Sequence, residues 1–313
     1  MEKYIDEIIQ APTWSATQEK VITAPFHYLK TTPGKHLRTQ LIQLFNTIYK
    51  LPQSTIDQIS TIIEMLHTAS LLIDDVEDGS NLRRGNPTAH LIFGVAYTIN
   101  SSNYMYFQAL QQLLELDPQL VTVFNEEMIN LHRGQSLDLY WRENLICPKE
   151  SEYINMVMNK TGGLFRLAVR LMEHFAKTTD TTSLIPLANY LGIIYQIRDD
   201  YLNLKSEDLT LNKGFCEDIS EGKFSFPIIH SLNNNRDDQT LMGILKQRTQ
   251  DIQIKKFALN FLEETNSFQY TLETLNLLRE KTLSWVDQYD GHQDTTQYEL
   301  DNIKQLVLKL TSV

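Results

Sequence analysis

An all-α fold is what this 313-residue sequence predicts, and three observations predict it. Apolar residues recur with a helical period along most of the chain. Glycine (12) and proline (9) are scarce, below the roughly 7% and 5% shares usual in proteins, which disfavours a turn-rich β architecture. No stretch alternates apolar and polar residues as a half-buried strand would. Taken in order, Leu37, Leu41, Leu44, Phe45 and Ile48 predict a helix over 35–50. Ser54 with Asp57 resembles a capping box, and Ile56, Ile59, Ile62, Ile63 and Leu66 then form one stripe. A third stripe runs through Tyr153, Met156, Val157, Leu164, Leu167, Ala168 and Leu171, interrupted by Lys160-Thr161-Gly162-Gly163. A fourth joins Leu184, Leu187, Leu191 and Ile194, and the polar stretch 233–238 reads as a loop between helices. With no internal repeat and no low-complexity linker, residues 1–313 read as one domain of many helices.

Composition narrows the function classes. The chain is 42% hydrophobic and 21% charged, an ordinary globular balance. Lys and Arg number 28 against 39 Asp and Glu, a net charge of −11, so there is no large basic face for nucleic acid. No apolar run approaches the ~20 residues of a membrane span. The start, MEKYIDEIIQ, lacks a signal peptide's order of basic then apolar residues, and Leu310-Thr311-Ser312-Val313 offers no prenylation cysteine. Cys147 and Cys216 show no metal-ligand spacing and argue against a disulfide framework. The expectation is a soluble, reduced, cytoplasmic protein.

Chemistry concentrates in two acidic clusters. Asp74-Asp75-Val76-Glu77-Asp78 places four carboxylates in five residues, just before Gly79. On a helix Asp74 and Asp78 stand one above the other, with Asp75 about 100° around. Gly79 is a natural stop, so these acids would crowd the negative end of a helix dipole, where a divalent cation relieves them. The second cluster, Gln196-Ile197-Arg198-Asp199-Asp200-Tyr201-Leu202-Asn203, repeats the i, i+4 spacing with Asp199 and Asn203, and Asp200 lies alongside. All these donors are oxygen, which suits Mg²⁺ and its preference for water and phosphate oxygens. One such cluster reads as a solvated acidic face; two with matched spacing, each rising from an apolar helix, point to metal.

Cationic groups stand out against this acidity. Lys35 and Arg38 share a face near a predicted helix N-terminus, favourable ground for phosphate. Arg83-Arg84-Gly85 follows the first cluster, Lys160-Thr161 breaks a helix, and Lys213 and Lys223 flank the segment 214–222. Combined with two Mg²⁺-type clusters, they suggest places for two diphosphates, one gripped through metal and one directly by Lys and Arg.

These residues resemble the trans-isoprenyl diphosphate synthases. The likeness rests on the two aspartate motifs, the Gly34-Lys35-x-x-Arg38 segment, His67 and the Arg83-Arg84 pair. It rests also on His132-Arg-Gly-Gln-Ser-Leu-Asp-Leu-Tyr-Trp141, Lys160-Thr-Gly-Gly-Leu-Phe165 and Glu221-Gly-Lys-Phe-Ser-Phe-Pro227. The wording is similar to that of the geranylgeranyl-forming type of fungi and animals, from about Ile5 to Tyr270, and weakens over the last forty residues. The resemblance implies a helical bundle around a deep central cavity, assembled as a homodimer or higher oligomer. It implies that Asp74 and Asp78, with Asp75 adjacent, bind Mg²⁺ bridging an allylic diphosphate, and that Asp199, helped by Asp200, binds a further ion; three Mg²⁺ per site are expected. Lys35, Arg38, His67 and Arg84 would hold isopentenyl diphosphate. Arg83, Lys160, Thr161, Gln196, Lys213 and Lys223 would hold the allylic partner (dimethylallyl, geranyl or farnesyl diphosphate). Asn203 stands where many relatives have Asp, weakening coordination there, and Ser136 stands in a usual glycine position with little consequence.

The implied reaction needs no side-chain nucleophile. Metal and cationic side chains stabilise the departing diphosphate, the isopentenyl double bond attacks the allylic cation, and a proton leaves to the released diphosphate. Thr161 and Gln196 would stabilise the cation with their oxygens, and water must be excluded. The growing tail needs an apolar tunnel. Ala69 and Ser70, about one helical turn before Asp74, are small and let the chain pass, with Tyr106, Phe107 and His132 as candidates for the floor. A terpene cyclase shares the metal chemistry but has no use for a second diphosphate site. A non-catalytic partner subunit would be expected to have lost aspartates that this chain keeps.

Overall fold

The protein is described from a computed structural model covering residues 11–31, 34, 37–176, 182–205, 214–291 and 295–312. Among these residues the chain is almost entirely helical. The first half comprises α1 (Ala16–Ile22), α2 (Ala24–Thr31), α3 (Leu37–Tyr49), α4 (Gln53–Asp78), α5 (Ala89–Phe93), α6 (Val95–Leu116), α7 (Val121–Asn144) and α8 (Glu150–Lys160). The second comprises α9 (Gly162–Ala176), α10 (Ile185–Lys205), α11 (Glu217–Glu221), α12 (Phe226–Asn234), α13 (Thr240–Gln247), α14 (Ile252–Glu264), α15 (Ser267–Asp287) and α16 (Gln297–Thr311).

The predicted stripes become the core. Ile56, Ile59, Ile62, Ile63 and Leu66 of α4 are fully buried, as are Tyr153 and Val157 of α8 and Leu187 and Ile194 of α10. α9 sits at the centre: Gly162 to Met172 are buried almost without interruption except Arg170, and the helix packs against α3, α4, α7, α8 and α10. α6 lies along α4, and α15 and α16 cover α10 from the outside. At 26 residues α4 is about 39 Å long, enough to carry its C-terminal acids from the core to the rim of a cavity.

Two helix ends differ in how closely they follow expectation. α4 stops at Gly79, whose φ of 63° gives the left-handed cap that the sequence predicted. At its start the expected Ser54–Asp57 capping box does not form. Pro52 occupies the N-cap without a side-chain bond, Ser54 is already inside the helix, and Asp57 accepts from the Gln53 side chain instead. Pro52 presets the backbone and moves the boundary two residues upstream.

The only strands among the described residues are two short ones the sequence did not reveal, β1 (Leu82–Arg83) and β2 (Asn86–Pro87), antiparallel with Arg83 opposite Asn86. Their turn places both Arg84 (φ 56°) and Gly85 (φ 79°) in the left-handed region, the geometry of a type I′ hairpin. Both cysteines are free, and no helix among the described residues is long and apolar enough to cross a membrane.

Candidate active site

A cavity of about 1020 Å³ opens between the C-terminal half of α4 and helices α3, α6, α7, α8, α10 and α11. Its lining brings together most of the residues singled out from sequence: Arg38, His67, Ser70, Asp74, Asp78, Arg83, Arg84, Tyr106, His132, Lys160, Thr161, Gln196, Asp199 and Lys223 all face it. Lys35 and Lys213 lie outside the described residues.

The acidic end is built on the last turn of α4. Asp74, Glu77 and Asp78 line the cavity. Burial, then the neighbouring Asp74 and Glu221 carboxylates, pushes the Asp78 carboxyl well above the ordinary aspartate range. Arg142 of α7 answers this crowding: it pairs with Asp78 and donates from Nη2 to the Glu77 carbonyl at 2.8 Å, capping α4. Gln135 donates to Glu77 Oε2 at 2.6 Å and to Asp74 Oδ1 at 3.3 Å. Lys160 Nζ bonds Asp138 Oδ2 at 2.6 Å and stands 3.7 Å from Asp74 Oδ1. Burial works against the Lys160 charge, but Asp138, Asp74 and Asp78 outweigh it and raise its pKa.

Two aspartates and one asparagine of the acidic motifs turn out to face inward. Asp75 is 1% exposed and does not line the cavity; Arg83 donates to it from Nε at 2.7 Å and again from Nη2. Consecutive helical residues point about 100° apart, so Asp75 turns from the face that Asp74 and Asp78 share. Asp200, fully buried, has both oxygens occupied: Oδ1 by Gln196 Nε2 (2.8 Å) and Lys223 Nζ (3.1 Å), Oδ2 by Tyr153 Oη (2.5 Å) and the Phe226 N–H (2.9 Å). With four donors on two oxygens it holds side chains rather than a cation. Asn203 accepts the Asp218 N–H at 3.1 Å, so its departure from Asp costs the cavity no ligand. Asp199 alone of that motif reaches the lining.

The donors that do face the cavity fit Mg²⁺. They are all oxygens, and a divalent cation would favour the charged form of Asp78 that burial and then the Asp74 and Glu221 carboxylates disfavour. Among the described residues no three carboxylates or imidazoles close a metal cage by themselves. That openness suits an ion that keeps several waters and takes phosphate oxygens for the rest.

The cationic end lies across the cavity. Arg38 stacks on Phe165, its carbon Cζ 5.3 Å from the ring centroid, and its buried Nε has no hydrogen-bond partner. Arg84, which lines the cavity, holds a left-handed backbone that costs a non-glycine residue about 1–2 kcal/mol. Burial, then Arg38, Arg84 and Arg83, holds His67 well below the usual imidazole range, so it enters the site as a neutral donor. Between the two ends, Thr161 Oγ1 donates to Gln196 Oε1 at 2.7 Å, while the Gln196 amide nitrogen is committed to Asp200. That chain fixes the direction of every bond and leaves the lone pairs of Thr161 Oγ1 to the cavity.

Of the residues named for the tunnel, Ser70, Tyr106 and His132 line the cavity, with the Tyr106 and His132 rings edge to face at 5.8 Å. Ala69 is buried against α6, its carbonyl accepting from Ser102 Oγ, and Phe107 is 70% exposed on the outside of α6. Gln135 and Asp138 stand in the His132–Trp141 motif without a role assigned from sequence, and Arg142 just beyond it was not singled out. They recur at i, i+3 and i+7, one polar face of α7, and that spacing was the available signal.

Comparison with known proteins agrees with this geometry. Residues 19–262 match the polyprenyl synthetase family model, a span containing every cavity residue named above. A geranylgeranyl pyrophosphate synthase of Fusarium fujikuroi is 48% identical over 300 residues, covering 95% of this chain and 72% of the relative. One of Hypoxylon pulicicidum is 52% identical over 280 residues, covering 89% and 72%. A copalyl diphosphate synthase of Talaromyces verruculosus is 49% identical over 288 residues, covering 92% of this chain but 30% of the relative.

If Asp200 is the anchor of this frame, Tyr153→Phe removes one of four donors from a fully buried carboxylate. A stability loss of about 1–3 kcal/mol is expected in urea denaturation. An unchanged midpoint would show that the hydroxyl contributes nothing to the frame.

Proposed function

The chain belongs to the polyprenyl synthetase family, and on that premise we propose that it condenses isopentenyl diphosphate with allylic diphosphates to give geranylgeranyl diphosphate. The observation that carries this reading is one cavity with an acidic end at Asp74, Asp78 and Asp199 and a cationic end at Arg38, His67 and Arg84. A cyclase needs only the first. The relative named for copalyl diphosphate matches over less than a third of its length, so its name gives this chain no cyclase.

Asp74, Asp78 and Asp199 would hold Mg²⁺. When bound there, the ion supplies neutralisation of diphosphate charge. Lys160, Lys223 and Arg83 add fixed positive charge beside the leaving group, each held by a carboxylate that keeps its nitrogen in place. Thr161 Oγ1 presents lone pairs where positive charge develops on the allylic carbon. Arg38, Arg84 and the neutral His67 N–H orient isopentenyl diphosphate so that its double bond meets that carbon, a step in which positioning supplies much of the rate.

The tail extends along α4. Ser70 lies about 6 Å deeper than Asp74 and leaves the path open. Tyr106, stacked edge-on against His132, would close it at twenty carbons. Phe107, by contrast, joins Leu91, Ile92, Val95 and Ile99 on the exposed side of α5 and α6, and Leu137 and Tyr140 are exposed on α7. An apolar face of this kind supports assembly as a homodimer.

The direct test is product chain length from isopentenyl diphosphate with dimethylallyl, geranyl and farnesyl diphosphates in turn. Asp74→Ala and Asp199→Ala are each expected to lower turnover roughly 10²–10³-fold, and EDTA to abolish it until Mg²⁺ is restored. Turnover that survives chelation removes the metal from the reading. Tyr106→Ala is expected to yield products longer than twenty carbons; an unaltered distribution places the floor elsewhere. Phe107→Glu is expected to convert a dimer into monomers in light scattering, and a variant that keeps the parent mass would rule this face out as the interface.

A further inference from the structure

Three helices converge on the junction where α8 gives way to α9. A Cβ on Gly134 of α7 would stand 2.4 Å from the Lys160 nitrogen and 2.9 Å from the Met156 carbonyl oxygen. A Cβ on Gly192 of α10 would stand 2.8 Å from the Gly162 Cα. Backbone therefore meets backbone on two sides of the residues that carry the Lys160 ammonium and the Thr161 hydroxyl. The third side is closed by one side chain.

Arg166 of α9 is 8% exposed and reaches back across the junction. Its Nη1 donates to the Met158 carbonyl and, at 3.2 Å, to Asn189 Oδ1. Its Nη2 donates to Glu127 Oε2 at 2.8 Å and Asn159 Oδ1 at 3.3 Å, and its Nε to Glu127 Oε2 at 3.1 Å. Glu127, 4% exposed, is completed by Arg170 Nη1 on Oε1 at 2.9 Å. Met158 and Asn159 belong to the last turn of α8, where carbonyls lack intrahelical partners. One planar fork thus ties that turn to α7 and α10, a directional constraint that apolar packing at the same place would not supply. Arg166 does not line the cavity, so it touches no substrate there.

We infer that Arg166, held by Glu127, is a positioning residue: it sets the angle at the α8–α9 junction and hence where Lys160 and Thr161 meet the allylic diphosphate. The inference rests on assigning Lys160 and Thr161 to that substrate. The burial of a charge pair at this junction follows from it, since desolvating Arg166 and Glu127 is costly and is offset only by a full set of hydrogen bonds.

Steady-state kinetics with each substrate varied separately tests this. Arg166→Met is expected to lower kcat/KM for farnesyl diphosphate at least about tenfold while KM for isopentenyl diphosphate stays within about twofold, because Arg38, His67 and Arg84 themselves sit on α3, α4 and the β-hairpin, and α9 contributes only the Phe165 ring under Arg38. Arg166→Lys is expected to recover part of the loss. Arg166→Met combined with Thr161→Val should lose less than the product of the two single losses, since part of the Arg166 effect acts through Thr161 and the rest through Lys160. Losses that multiply, or KM values for both substrates that rise together, overturn the inference. If Arg166→Met does not fold, the Asn159→Ala/Asn189→Ala pair keeps the Glu127 contact and carries the test. It should show the same pattern at about threefold, and parent kinetics overturn the inference. Lys160→Ala run in parallel separates the two layers: parent kinetics in that variant overturn the assignment of Lys160 on which the inference stands, whereas a loss there beside parent kinetics in Arg166→Met overturns only the positioning role.

Discussion

Crowding Asp74, Glu77 and Asp78 into the final turn of α4 is the constraint to which the surrounding structure answers. A helix C-terminus already carries about half a negative charge. Carboxylates one turn apart on one face repel by about 3 kcal/mol per pair at an effective dielectric of about 20. α4 cannot relieve this from within, having no basic residue in its last turn. Relief comes from elsewhere: Arg83 on the β-hairpin, Gln135 and Arg142 on α7, and Lys160 at the end of α8 all converge on the same turn. The close packing of α7 against α8 serves this convergence, and it leaves the acids negative enough to attract a cation yet fixed enough to present it.

The second aspartate motif does a different job with the same residue type. Asp199 faces the cavity, whereas Asp200 is spent on organising its neighbours, holding Lys223 and Gln196 while itself gripped by Tyr153 and the Phe226 N–H. Through Gln196 it also sets the direction of the Thr161 hydroxyl. A buried carboxylate with four donors is rigid, and rigidity is what a site needs if its dipoles are to be aligned before charge develops. Adjacent aspartates thus divide between presenting charge and bracing the frame.

That division explains what could be read from sequence alone. Helical period was enough for the fold, because residues such as Ile56, Ile59 and Ile63 have no destination but the core. The i, i+4 spacing was enough for Asp74 and Asp78, which share a face whatever surrounds them. The inward placement of Asp75, Asp200 and Asn203 could not be read because their partners, Arg83, Tyr153 and the Asp218 N–H, come from other elements and only tertiary contact brings them near. Phe107 lies outside the cavity that Tyr106 lines because neighbours on a helix face different ways, and no pattern within α6 says which side the cavity takes. The hairpin escaped notice because two-residue strands have no period to read.

The two ends of the cavity are unbalanced in opposite senses. Around Asp78, burial and then the Asp74 and Glu221 carboxylates raise its pKa. Around Arg38, burial lowers the guanidinium pKa against the opposing Tyr195 and Glu64, with Arg84 adding to burial; its Nε is left without a partner, and burial with the neighbouring arginines drives His67 neutral. Neither imbalance can be cancelled by moving the other end closer, because the side chains are braced on different helices. In the proposed reaction each would be cancelled by what it binds, a cation with its diphosphate at one end and a bare diphosphate at the other. Two polyanions that would repel each other in water would thereby be drawn to adjacent places, one to the acidic end through its cation and one to the cationic end. Placing the attacking double bond beside the departing diphosphate is then a consequence of electrostatics built into the folded chain before either substrate arrives.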